Sequence, residues 1–268
     1  MLLVWSATVL LDIAAAHAQC PLLDEAQGPT RAVVRVIDAD TVALDDGSEV
    51  RLIGALPPRP DEPSADAQWG PLEAAEDALQ QLLAGKTVEV RSRGRKLDRY
   101  GHLLAHLFVV GERTAPRQWV QGFMVGAGHA RAYGFGDSRA CLGELLQLEE
   151  AARSGALGLW AHAAYQVRRA DEPRGLLRYR HSYQLVEGRV LQVAETKARV
   201  FLNFGADHRD DFTVAILRKD MRSFAAVGID LAGLEGKPVR VRGWVESWNG
   251  PMIKVTHPEQ IELLAETD

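Results

Sequence analysis

Cysteine is nearly absent from this chain: only Cys20 and Cys141 occur in 268 residues, and no His/Cys spacing suggests a zinc site. His102 and His106 share one face of a predicted strand, but no third ligand stands near them in sequence, so they do not make a metal site on their own. A basic excess is also missing. With a net charge of −5 and a pI near 5.9, bulk attraction does not bring a polyanion to this protein, and any such partner must meet local basic patches. Long apolar runs are missing too: beyond the N-terminus no segment approaches the ~18 uncharged residues of a spanning helix, which argues against a stable membrane span. What is present is ordinary globular material, 47% hydrophobic and 25% charged, and long enough for two domains.

Residues 1–11 are nearly all apolar, and Ala16-His17-Ala18 offers a small-residue cleavage site before Gln19. Residues 1–18 therefore read as a signal peptide, and the mature chain as periplasmic or secreted. In such a compartment Cys20 and Cys141 are expected to form a disulfide, tying the N-terminal segment to the last helix of the first domain.

Apolar alternation predicts strands over residues 32–37, 41–44, 50–53, 87–90 and 102–110, with turns at Asp46-Gly47 and Gly101. Helices are predicted over 71–84, 117–127 and 138–154, stopped by Gly85, Gly128 and Gly155. Together these elements make a first domain over 28–162. Residues 163–181, rich in arginine, read as an exposed, mobile linker. Five further strands follow over 184–193, 198–204, 212–217, 238–245 and 252–255, with a helix at 220–227 after the third. That order suits a second small barrel of the OB type over 182–264. Its candidate ligand contacts are Arg189, Phe201, Arg240, Arg242, Trp244 and Trp248, several of which are expected to belong to the core instead.

The motifs that carry chemistry lie in the first domain. Asp38-Ala39-Asp40-Thr41 places two carboxylates in a turn, and Arg51 opens a nearby strand. Hard oxygen ligands beside a guanidinium fork suit a divalent cation and a phosphate. Asp98-Arg99-Tyr100-Gly101-His102 and the helix start Trp69-Gly70-Pro71 complete the pattern. In this order the parts resemble the staphylococcal-type thermonuclease family over residues 31–160, as does the closing Gly158-Leu159-Trp160, expected to plug the barrel. The resemblance implies a mainly β fold with helices: an OB-fold barrel with three helices, here followed by the second OB-like barrel. It also implies that Asp40 is a calcium ligand with Asp38 behind it, that Arg51 grips a phosphate and that Tyr100 lies against a base.

The catalytic set departs from the family pattern. Leu56 stands at the second calcium carboxylate, Arg59 at the glutamate that would activate water, and His102 at the second phosphate-binding arginine. Arginine cannot accept a proton, and one carboxylate with waters would hold calcium only weakly. Asp61 and Glu62, two and three residues past Arg59, are the carboxylates that could replace the base from a proline-rich loop. Arg91, Arg93 and Arg95 are expected to project from one side of a strand beside the phosphate site, with Tyr100 available to stack. The expectation is an exported protein that binds single-stranded nucleic acid or nucleotide, with hydrolysis weak or lost. The alternatives are an active calcium-dependent nuclease using a rearranged loop carboxylate, and an envelope protein-interaction scaffold.

Overall fold

The computed structural model describes residues 20–24, 27–60, 62, 70–111, 117–134, 136, 138–207 and 209–266. The expected signal peptide over residues 1–18, together with Asp61 and Trp69, lies outside the described residues.

The first barrel is built from β1 (Thr30–Asp38), β2 (Thr41–Leu44), β3 (Glu49–Leu52), β5 (Thr87–Arg91) and β6 (Leu103–Val109), while the short β4 (Gly54–Leu56) lies outside it. Neighbours run antiparallel in the order β3-β2-β1-β5-β6, and a parallel β3–β6 pairing closes the ring, so no strand edge is left open. Alternate residues such as Val42, Leu44, Val50, Leu52, Val88 and Leu107 fill the interior, as the period-2 pattern requires. Helix α1 (Gly70–Leu83) buries Ala75, Leu79 and Leu83 at successive turns, a one-sided stripe, and ends just before Gly85.

Two helices begin later than expected. Residues 118 and 119 form a strand, β7 (Gln118–Trp119), that pairs with β6 before α2 (Val120–Gly126) starts. Trp119 is held there by Phe108, stacked at 6.4 Å between centroids, and by donating Nε1–H to His106 Nδ1 at 3.2 Å. After β8 (Arg131–Tyr133), which pairs with β4, α3 (Leu142–Ser154) begins only after Cys141, whose φ of 61° is not helical. Cys141 is bonded to Cys20, as expected, with their Cα atoms 4.9 Å apart.

The stretch expected to form an exposed linker is largely exposed, but part of it is packed. β9 (Arg168–Arg169) adds a parallel strand to the second sheet, and α4 (Pro173–Leu176) follows it, with Ala170 and Leu176 buried. The second sheet contains β10 (Tyr183–Arg189), β11 (Gln192–Glu195), β12 (Arg199–Asn203), β13 (Thr213–Leu217), then α5 (Met221–Ala226), β14 (Pro238–Ser247), β15 (Pro251–Val255) and β16 (Ile261–Leu263). Its order is β11-β12-β13-β15-β14-β10, and β13–β15 is parallel. β10 and β11 are halves of one bent strand, so this order repeats that of the first barrel, including the parallel pairing of third and fifth strands. Gly188 lets Ala170 pack closely on β10, because a Cβ there would lie 2.4 Å from the Cβ of Ala170.

The two barrels meet over a shared apolar cluster of Leu56, Ala152, Leu159, Trp160, Tyr183 and Leu185. Trp160 thus packs against the first barrel, as expected, and against the second as well. Buried ion pairs flank it: Arg242 meets Glu149 at 2.5 Å and also contacts Glu262, while Arg240 bonds Glu187, Glu150 and Glu262. Arg240 and Arg242, expected to face a ligand, therefore hold the domains together. Arg189 reaches Glu266 and the carbonyl of Gly236 instead. Among the described residues no helix is long and apolar enough to cross a membrane.

Candidate nucleic-acid interface

The turn between β1 and β2 is shaped by its own carboxylates. Asp38 is exposed, and its Oδ1 accepts the N–H of Asp40 at 2.9 Å, an Asx turn that aims the Asp40 side chain inward. Cross-strand pairing of Thr41 with Arg51 then sets the arginine beside it. Asp40 Oδ1 accepts from the Thr41 hydroxyl at 2.9 Å and Oδ2 from Arg51 Nη2 at 3.1 Å. Burial raises the Asp40 pKa above the ordinary carboxylate value, Arg51 counteracts this, and neighbouring Asp38 adds to it.

The hairpin from Leu97 to Leu103 supplies the opposite wall. Asp98 Oδ1 accepts the backbone N–H groups of Tyr100 and His102, and Oδ2 lies 2.9 Å from His102 Nδ1 and 4.0 Å from Arg51 Nη1. Burial would raise the Asp98 pKa, but these hydrogen bonds outweigh it and hold the carboxyl below its usual value. Tyr100 is 65% exposed, with the Arg99 guanidinium 4.7 Å from its ring centre.

Between these walls lies a cavity of about 390 Å³. Among the described residues, Arg51, Arg59, Arg95 and Arg99 line it against two carboxylates, Asp40 and Asp98. Tyr100, Tyr133 and Trp244 supply aromatic surface, and Trp244 comes from β14 of the second barrel. Past Arg95, Tyr133 and Trp244 the depression continues toward Lys254 and His257. A guanidinium-rich floor with rings on its sides fits a phosphate-bearing chain whose bases stack.

Asp40, Arg51, Arg95 and Tyr100 are brought together as the sequence suggested. Other candidates stand elsewhere. Arg91 is buried, paired with Glu89 at 2.7 Å and lying over Phe108, and since β5 ends there the alternation does not continue to Arg95. Arg93 sits in the loop after that strand and does not line the cavity. His102 lies outside the cavity lining, its two ring nitrogens facing Asp98 and Glu49. Glu62, proposed as a replacement base, is paired with Arg131 at 2.5 Å beneath the domain junction. His106 is a core residue: burial lowers its pKa to about 4, Nδ1 accepts from Trp119, and Nε2 donates to the Ala140 carbonyl at 3.1 Å. The sequence gives no signal for Tyr133 or Trp244 at this site: β8 brings Tyr133 there by pairing with β4, and domain packing brings Trp244.

Calcium does not fit the described donors. Asp40 is bonded to Thr41 and Arg51, Leu56 presents only carbon, and among the described residues no three His, Cys, Asp or Glu side chains converge to hold a metal. One carboxylate already shared with an arginine is far from the six to eight oxygens calcium takes.

Strand order and groove define an OB-type barrel whose open face is basic and aromatic. Residues 49–162 match the family described as Staphylococcal nuclease homologue, so the chain carries a staphylococcal-nuclease-like domain. No curated protein matches the chain in sequence.

Proposed function

We propose that the first barrel binds single-stranded nucleic acid or a nucleotide in this groove, with phosphodiester hydrolysis weak or lost. The observation that carries this reading is the cavity that joins Arg51, Arg59, Arg95 and Arg99 to Tyr100, Tyr133 and Trp244. Phosphates meet the guanidinium groups and bases stack on the rings. Among the described residues, neither position expected to supply the proton acceptor offers one. Arg59 cannot take a proton from water, and Glu62 is held by Arg131. Export is part of the proposal, supported by the N-terminal apolar run and by the Cys20–Cys141 bridge, which persists best in an oxidising compartment.

The test is titration of a fluorescent oligo-dT strand into the purified protein, with cleavage of the same strand followed with and without calcium. Saturable binding without cleavage is expected. Tyr100→Ala should weaken binding by roughly 1–3 kcal/mol through lost stacking. Arg51→Ala should weaken it too and flatten its salt dependence. Unchanged affinity in both variants removes binding from this groove, and calcium-dependent turnover overturns the loss of hydrolysis.

A further inference from the structure

The second barrel has a concavity of its own, about 360 Å³, whose walls include Gln192, Phe201, Asn203, Thr213, Trp248 and Asn249. Strand alternation puts them there: Val200, Leu202, Val214 and Ile216 turn into the core, so Phe201, Asn203 and Thr213 face outward. In barrel order β12 and β13 are the second and third strands, and the 248–250 hairpin joins the fourth to the fifth. That face and that hairpin are where OB barrels take up oligonucleotides or oligosaccharides.

Two observations decide between these ligands. Asn203 lines the concavity, and its amide makes no hydrogen bond among the described residues. Its donor and acceptor are therefore open to a polar ligand seated there. The second observation is charge. Among the described residues no Lys, Arg, Asp or Glu lines the concavity, and the loop beside it carries Asp207, Asp210 and Asp211 against Arg209. This loop packs on the hairpin, since a Cβ on Gly250 would lie 2.4 Å from the Asp211 carbonyl oxygen. The nearby Arg199 guanidinium lies 4.5 Å from the Trp248 ring centre, on one side of an indole that remains half exposed. Phosphates would meet net negative charge here, whereas amides and aromatic rings match the hydroxyls and C–H faces of a sugar.

We propose that the outer face of the second barrel binds a neutral oligosaccharide, with Asn203 hydrogen-bonding its hydroxyls and Trp248 and Phe201 stacking on its rings. The site is separate from the basic groove of the first barrel and does not depend on that groove's function. The test is calorimetric titration of the full chain with maltohexaose, laminarihexaose and chitohexaose, and with oligo-dT for comparison. Saturable binding of at least one hexasaccharide is expected, weakened about tenfold by Asn203→Ala or Trp248→Ala and retained in Trp248→Phe. Arg51→Ala should leave it unchanged, which separates this site from the nucleic-acid groove. No binding of any hexasaccharide overturns the proposal, as does oligo-dT binding that Trp248→Ala abolishes while Arg51→Ala does not. Circular dichroism of each variant verifies that the substitutions leave the fold intact.

Discussion

Leu56 occupies the position where the family pattern has an acidic calcium ligand, and it is more than a missing carboxylate. It is 3% exposed and packs with Trp160, Tyr183 and Leu185 at the domain junction, where it helps to hold the barrels together. Leu56→Asp, which on the family pattern alone should restore calcium binding, would instead bury a carboxylate among apolar side chains. It is expected to destabilise the protein by at least about 3 kcal/mol without calcium-dependent recovery, as read by urea unfolding with and without the ion. His106 carries a pH dependence. Its folded pKa of about 4 lies below the unfolded value near 6.5, so the unfolded chain takes up the proton first as pH falls. Its contribution is complete above about pH 6.5 and is lost down to about pH 4, at up to ~1.4 kcal/mol per pH unit. His106→Gln should be less stable at neutral pH, and the gap to wild type should narrow in this acid window. Parallel pH profiles would assign the slope to other groups.

Among elements, the junction between α3 and β14 is the most exacting. Glu149 accepts the Ala132 N–H through one oxygen and Arg242 through the other, with both side chains buried. Removing one partner leaves the other charge stranded, so Arg242→Ala should cost about 3–5 kcal/mol in denaturant unfolding. An apolar replacement of matching size at both positions should cost much less. Because Trp244 is carried on the same strand, Arg242→Ala should also weaken oligo-dT binding at the first barrel. The strands themselves were legible in the sequence, since alternation of apolar residues defines which face is buried. The late starts of α2 and α3 were not, because Trp119 and Cys141 are held by tertiary partners, Phe108 and Cys20, that local propensity does not contain.

At the scale of the whole molecule, the Cys20–Cys141 bridge closes a loop across most of the first domain, with a sequence separation of 121. Chain-entropy reasoning gives such a crosslink about 4 to 5 kcal/mol. The unfolded, unreduced protein should show no titratable thiol, and reduction should lower the melting temperature by several degrees. Two free thiols would remove the bridge from the account.

The sequence by itself determined the two barrels, because strand period, turn residues and element order are local properties that leave few topologies open. It also determined the Asp40–Arg51–Tyr100 constellation, whose members sit on neighbouring strands and one hairpin. The tertiary structure alone decided which charges face solvent. Arg91, Arg240 and Arg242 read as a ligand's partners but are consumed by Glu89, Glu187, Glu149 and Glu262, none within two residues in sequence except Glu89. It also decided that Trp244 of one barrel completes the groove of the other, since a site built across two domains depends on how their surfaces dock and leaves no periodic signal along the chain.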